Sequence, residues 1–302
     1  MNNQTEKKPN KVLNVLFSIW VTASVLLIQV GVGLGFRAFK TIQFVKEAGG
    51  DILKGTQNYE VWFSLYSKAT PILMYLQLAA EIVCIIVFFL WYMFGYVRKD
   101  KKRGTYRRLG LKFNKTRYIF FVLFGCISIG ALAVTLNKIA TGLMPQVSKQ
   151  VQSGLQSALG GSLLIGLLIA VVLAPIAEEL AMRGIILQHS KKAFGLVGCM
   201  VISAIMFGLM HANPIQGIYV LPMGLFWGFL AYRFDSVIPC IVCHMFNNLT
   251  TGVIDQLSYG HPEIVFIVFG VLAAFVGVRT GVFNLNEKEK ENEDGEEVSE
   301  DR

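Results

Sequence analysis

Charged, imidazole and amide side chains interrupt three of the long apolar runs in this sequence. The side chains concerned are Glu178, Glu179, Arg183, His211, His244, Asn247 and Asn248. A charged or strongly polar group inside a bilayer is expensive, so each of them requires a physical reason. Together these residue types could hydrolyse an amide bond: a carboxylate as general base, and imidazole and amide groups as hydrogen-bond donors to an oxyanion.

The segment APIAEELAMRG at 174–184 contains two adjacent carboxylates in different settings. On a helix, Glu179 and Arg183 are four residues apart, share a face and can form an ion pair. Glu178 lies about 100° further round the helix and is therefore free to face a cavity. Pro175, one turn earlier, can kink the helix beside them. The alternative for these charges is an ion network that only holds helices together.

Two of the four histidines lie in this set of residues. Phe207 and His211 are four residues apart, as are His244 and Asn248. A single histidine on an apolar helix face is usually a satisfied core residue, but two of them together with a free glutamate favour catalysis. Glutamate with a histidine can deprotonate water, and a second histidine with an asparagine amide can donate hydrogen bonds to an oxyanion.

Other catalytic and ligand signatures are missing from the sequence. There is no G-x-S-x-G and no H-E-x-x-H motif, which excludes the known serine-type and zincin-type arrangements. Cys240 and Cys243 form a C-x-x-C without a second pair, and all five cysteines fall in apolar runs. This distribution excludes a secreted disulfide framework.

The composition shows which elements must hold these side chains. Of the 302 residues, 54% are hydrophobic and 16% are charged, whereas a soluble domain has about 25% charged residues. Because a run of about 20 apolar residues spans a bilayer, the sequence predicts an all-α polytopic membrane protein with about eight transmembrane helices. The predicted spans are 12–36, 70–97, 118–140, 162–188, 194–213, 215–232, 237–255 and 262–283.

We expect three regions along the chain. Residues 1–117 form an N-terminal transmembrane region with a basic cytoplasmic loop at 98–117. Residues 118–286 form a membrane-embedded core with its motifs at 174–250, and residues 287–302 form an acidic, disordered cytoplasmic tail. Within the core, 142–160 is amphipathic and is either a helix along the outer interface or an ordinary loop helix.

The basic residues predict the orientation in the membrane. With eight spans and both termini inside, 21 of the 28 Lys and Arg residues lie on cytoplasmic segments and 7 lie elsewhere. The opposite orientation inverts this ratio, so the positive-inside rule favours cytoplasmic N- and C-termini. Because these basic clusters lie between apolar runs, they indicate cytoplasmic loops and not a nucleic-acid partner.

Three motifs resemble those of the CAAX protease and bacteriocin-processing (Abi) family of intramembrane proteases. EELAMR at 178–183 is similar to the family's E-E-x-x-x-R, FGLMH at 207–211 to F-x-x-x-H, and HMFNN at 244–248 to H-x-x-x-N. The intervening helix has Gly224 and Gly228 at a spacing that permits close helix contact. The resemblance covers about 162–250, with the motifs in the family's order.

The resemblance implies a membrane-embedded peptidase with assigned roles for these residues. Glu178 with His211 would activate water, His244 and Asn248 would hold the oxyanion, and Glu179 and Arg183 would support them. The family is often described as metal-dependent. We favour a glutamate mechanism without a cofactor, and zinc is possible on Glu178, His211 and His244.

Two other functional classes remain alternatives at this stage. One is a non-enzymatic membrane immunity or regulatory protein on the same scaffold. The other is a transporter, which would explain Glu81 and Gln77 in the second span, although a polar bridge between helices explains them equally well. The expected partners of the peptidase are the lipid bilayer and a peptide or protein substrate, either a prenylated C-terminus or a bacteriocin or signalling peptide.

Overall fold

A computed structural model describes residues 10–69, 72–99, 118–159 and 162–284. These residues form helices and no strands, which confirms an all-α polytopic membrane protein. In chain order the helices are α1 (Lys11–Glu47), α2 (Ile52–Ala69), α3 (Ile72–Val97), α4 (Ile119–Leu143), α5 (Pro145–Leu159), α6 (Leu163–Lys191), α7 (Ala193–Met210), α8 (Pro214–Phe234), α9 (Ile238–Leu257) and α10 (Pro262–Thr280). Most of the predicted basic loop, at 100–117, and the whole predicted tail at 287–302 lie outside the described residues.

Helix α1 is longer than a membrane requires. Its 37 residues extend about 55 Å, whereas a hydrocarbon core is about 30 Å thick. Residues 37–69, which lie between the first two predicted spans, therefore continue α1 and then return as α2. The chain reverses at Gly49 and Gly50, whose φ angles of 71° and 95° favour glycine.

In the described part of the chain, seven helices are long and apolar enough to cross a membrane: α1, α3, α4, α6, α7, α8 and α10. The remaining predicted span, 237–255, corresponds to α9. With 20 residues α9 is about 30 Å long, but its polar side chains lower its hydropathy. It packs against α4, α6 and α8, and its polar residues His244 and Asn247 are buried among these helices.

Helix α6 is not a regular α-helix. Two π-helical stretches, Leu168–Leu173 and Leu180–Leu187, flank one short α-helical segment, Ala174–Glu179. Pro175 has no backbone N–H to donate to the preceding turn. This explains the π-helical hydrogen bonding of the stretch just before it. π-helical turns of this kind occur frequently at functional sites.

The helices on the N-terminal side of α6 belong to the same packed core. Helices α1 and α3 both contact α6, and α1 also contacts α7. Val21 and Val25 of α1 are buried in one hydrophobic cluster with Cys84 and Phe88 of α3 and the α6 residues. The region predicted as 1–117 therefore supplies part of the wall around the polar residues of α6.

Candidate active site

The buried centre of the site is an ion pair within α6. Arg183 Nη1 donates to Glu179 Oε1 at 2.9 Å, and both side chains are completely buried. The pair that the i,i+4 spacing predicted is therefore present. Arg183 Nη2 also donates to the carbonyl oxygen of Gly224 in α8, at 3.1 Å. The guanidinium thus connects α6 to α8.

Aromatic rings complete the surroundings of Arg183. Its guanidinium carbon lies 4.8 Å from the ring centre of Phe207 and 5.5 Å from that of Trp227. Cation–π attraction of this kind is strongest where water is excluded. The charge of Arg183 is therefore balanced by one carboxylate, one carbonyl and two ring faces.

His244 of α9 contacts both glutamates of α6. Its Nδ1 lies 3.0 Å from Glu179 Oε1, and its Nε2 lies 3.7 Å from Glu178 Oε2. An ionised carboxylate only accepts hydrogen bonds, so Nδ1 carries a hydrogen and donates it to Glu179. The imidazole is stacked on Trp227 with ring centres 4.2 Å apart. These contacts fix the imidazole with its Nε2 directed at Glu178.

Glu178 differs from its neighbour in its surroundings. Its side chain is 18% exposed, whereas that of Glu179 is fully buried. Among the described residues, His244 is the only basic side chain with a nitrogen within 4 Å of its carboxylate. Glu178 therefore faces away from the ion pair, as the helical spacing predicted.

His211 lies at the C-terminal end of α7, immediately after Met210. Its Nδ1 donates to the carbonyl oxygen of Phe207 at 2.8 Å, which leaves Nε2 as an acceptor. Phe207 contacts the edges of both imidazoles, with ring-centre distances of 4.9 Å to His211 and 5.7 Å to His244. In the described residues His211 does not contact Glu178 directly, and the histidine that does is His244.

Asn248 connects α9 to the first π-helical stretch of α6. Its Nδ2 donates to the carbonyl oxygen of Ala170 at 2.8 Å, and its side chain is exposed. An amide nitrogen has two hydrogens, so one of them remains for a ligand. The structure thus brings four elements together, namely α6, the end of α7, α8 and α9.

The part of the chain that forms this geometry matches a known family. Residues 160–250 match the model of the family described as type II CAAX prenyl endopeptidase Rce1-like. This segment resembles the Rce1-like endopeptidases. The match confirms the resemblance carried by the three motifs and supports an intramembrane endopeptidase of the CAAX type. Searches of curated proteins and of solved structures find no match for the chain.

Within the Rce1-like segment, sequence reasoning gave no role to Trp227 and Asn247. Trp227 is fully buried between Arg183 and His244, and the only sequence signal was an aromatic residue between the spaced glycines of α8. Asn247 is also fully buried, and neither of its side-chain polar atoms has a hydrogen-bond partner among the residues that the structure describes. A Cβ on Gly130 of α4 would lie 2.5 Å from Asn247 Oδ1, so the asparagine packs closely against that helix.

Outside the Rce1-like segment, α3 contributes a further buried carboxylate. Glu81 accepts hydrogen bonds from Gln77 at 2.6 Å and from Gln29 of α1 at 3.2 Å, both at Oε1. A polar bridge between helices, one of the two explanations for Glu81 and Gln77, is therefore present and includes α1.

The arrangement also bears on the alternative in which Glu178, His211 and His244 would hold zinc. In the described ranges, no three His, Cys, Asp or Glu side chains are grouped so that they could hold a metal ion. Glu178 and His244 face each other, but His211 is held by the carbonyl of Phe207 and contacts neither of them as a third ligand. As arranged here, the three residues do not fit a metal ion.

Proposed function

We propose that this protein is an intramembrane endopeptidase that hydrolyses a peptide bond in a membrane-associated peptide or protein, using water activated by Glu178. The observation that carries the proposal is the Glu178–His244 pair, with 3.7 Å between Oε2 and Nε2. That separation is too long for a direct hydrogen bond, and one water molecule could bridge it. The match of residues 160–250 to Rce1-like endopeptidases supports this function.

In the proposed reaction, Glu178 is the general base. It removes a proton from the water molecule while the water oxygen bonds to the carbonyl carbon of the scissile peptide. The free Nε2 of His211 would accept the second hydrogen of the water and so orient it. When the carbon–nitrogen bond breaks, Glu178 returns its proton to the leaving nitrogen.

His244 and Asn248 would stabilise the oxyanion that forms on the attacked carbonyl. His244 Nδ1 is bonded to Glu179, so its Nε2 donates to an oxyanion only when the ring is an imidazolium. Asn248 would donate its remaining amide hydrogen, because the other is bonded to Ala170. Glu179 and Arg183 act here as supporting residues that orient His244.

The peptidase activity can be tested without knowing the substrate. Membranes from cells that contain the wild-type chain, Glu178→Gln or the exposed control Glu60→Gln are compared by mass spectrometry of their peptides. We expect the wild type and the control to give peptide ends that are absent with Glu178→Gln, when the three proteins are present at equal abundance. Identical peptides with Glu178→Gln would contradict the proposal. The complete absence of new ends with the wild type would favour a non-enzymatic membrane partner.

The description of the matched family favours prenylated C-termini as substrates. Such a substrate ends in Cys followed by two aliphatic residues and a variable residue, with the prenyl group on the Cys sulfur. Two peptides of this sequence, one farnesylated and one not, distinguish the substrate classes. Cleavage of the farnesylated peptide alone would support a CAAX peptidase. Equal cleavage of the two peptides would favour bacteriocin or signalling peptides as substrates.

The catalytic type has its own test, because the glutamate mechanism needs no Lewis acid. We expect the purified protein to retain its peptidase activity after treatment with a strong chelator. Loss of activity on chelation, restored by added zinc and accompanied by one zinc per chain, would instead assign the site to metal catalysis. The endopeptidase function itself would remain.

A further inference from the structure

Glu81 is a buried carboxylate with one free oxygen. Only 3% of the residue is exposed, and both glutamine amides that bind it donate to the same atom, Oε1. Among the described residues, Oε2 accepts no hydrogen bond and no Lys, Arg or His forms an ion pair with Glu81. The bridge between α1 and α3 therefore uses one oxygen of the carboxylate and leaves the other available.

Glu81 lies next to the proposed active site although it is 97 positions before Glu178 in the chain. Helix α3 packs against the segment of α6 that carries Glu178. The carboxylates of Glu81 and Glu178 are near enough to interact electrostatically. Cys84, almost one turn after Glu81 on α3, is near enough to interact with both of them.

A substrate in this site needs hydrogen-bond acceptors. A peptide must be extended around the bond that is cleaved, so its backbone N–H groups lose their helical partners. Where the surrounding helices and lipid exclude water, nothing replaces those partners, and an unpaired N–H group is costly. A carboxylate oxygen held rigidly beside the general base can satisfy such a group.

We propose that Oε2 of Glu81 accepts a hydrogen bond from a backbone N–H of the bound peptide, so that α3 forms part of the substrate-binding site. This proposal rests on the proposed peptidase function. It makes Glu81 a substrate-positioning residue that lies outside the Rce1-like segment, with no proton transfer assigned to it.

Glu81→Gln separates this role from the interhelical bridge. The amide oxygen of the new side chain can still accept from Gln77 and Gln29, so the bridge is retained. Its NH₂ group, however, places a donor where the substrate needs an acceptor. Loss of a hydrogen bond to a charged group weakens substrate binding, so we expect KM to rise roughly tenfold or more. We expect little change in kcat, in abundance or in the thermal midpoint.

Gln29→Leu is the matched control because it removes one donor from Oε1 and leaves Oε2 in place. It should lower the thermal midpoint and change KM less than Glu81→Gln does. The substrate is a synthetic peptide that spans the strongest cleavage site found by comparing wild-type and Glu178→Gln membranes. Unchanged KM in Glu81→Gln, with only the midpoint lowered in both variants, would show a structural bridge and overturn the proposal.

Substrate analogues identify the hydrogen bond itself. In a series of peptides, each backbone N–H near the cleavage site is replaced in turn by N–CH₃. One replacement should raise KM for the wild type and have little effect on Glu81→Gln, because the interaction is already missing there. Additive effects at every position would contradict the proposal. Failure of the peptidase function is recognised separately, since wild-type and Glu178→Gln membranes would then give the same peptides.

Discussion

The adjacent residues Glu178 and Glu179 differ in their burial and in their partners. Glu179 is fully buried and binds Arg183 and His244, whereas Glu178 is partly exposed and has His244 Nε2 as its one ion-pair partner among the described residues. A carboxylate with several buried partners, such as Glu179, can hold other side chains in place. A carboxylate with a free oxygen, such as Glu178, can react. The difference follows from the roughly 100° between consecutive residues on a helix.

This difference predicts unequal effects on stability. Glu179→Gln leaves the buried charge of Arg183 without its carboxylate, and breaking a buried pair in this way costs about 3–5 kcal/mol. Glu178→Gln removes no short hydrogen bond. We therefore expect Glu179→Gln to lower both abundance and the thermal midpoint in detergent, and Glu178→Gln to lower neither. Equal midpoints for the two variants would show that the ion pair does not stabilise the fold.

The adjacent asparagines of α9 allow a second comparison. If Asn248 donates to the oxyanion, Asn248→Ala should lower kcat by about 10²–10³ with little change in KM, because that interaction strengthens only in the transition state. Asn247→Leu is the control, since it keeps the shape of a buried side chain whose polar atoms are unpaired. Steady-state kinetics on both variants checks this, and an equal loss of kcat would assign the effect to helix packing.

At the scale of the helices, close packing of α7 against α8 holds Arg183 in place. A Cβ on Gly224 would lie 3.0 Å from the Cα of Ala204, closer than side chains normally approach a backbone. The carbonyl of the same glycine accepts the hydrogen bond from Arg183. The predicted role of Gly224 in helix contact is therefore present, and the same residue also contributes to the site.

Gly224→Ala should therefore disturb both the packing and the site. Pushing α7 and α8 apart typically costs about 1–3 kcal/mol, so we expect a lower thermal midpoint and lower peptidase activity. Gly217→Ala on the same helix is the control, because its Cβ would lie 3.7 Å from Gly208, an ordinary contact distance. If the control lowered the midpoint as much as Gly224→Ala, the effect would come from glycine replacement in α8 generally.

For the whole molecule, the orientation in the membrane remains a prediction from charge. The basic loop at 98–117 should be cytoplasmic and α2 should lie on the opposite side. A cysteine that replaces exposed Asn58 should react with a membrane-impermeant reagent added to intact cells, and one at Lys101 should react only after the cells are opened. The five native cysteines are buried, which keeps the background low. Labelling of position 101 in intact cells would show that the orientation is the opposite of the predicted one.

The sequence by itself determined where the apolar spans lie and which residues of α6 share a helix face. Apolar runs of sufficient length predict spans wherever they occur, and the i,i+4 spacing places Glu179 beside Arg183 and turns Glu178 away. It did not show that residues 37–69 continue α1 and return as α2, because a polar helix outside the bilayer has no apolar run to reveal it.

Only the tertiary structure decided which residues of different helices meet. The family resemblance implied that Glu178 acts with His211, whereas the packed helices bring His244 against both glutamates and bring Gln29 to Glu81. The helical period fixes the angle between residues on one helix. It says nothing about the rotation, depth and neighbours of another helix, which depend on how the side chains and glycines of all the helices pack together.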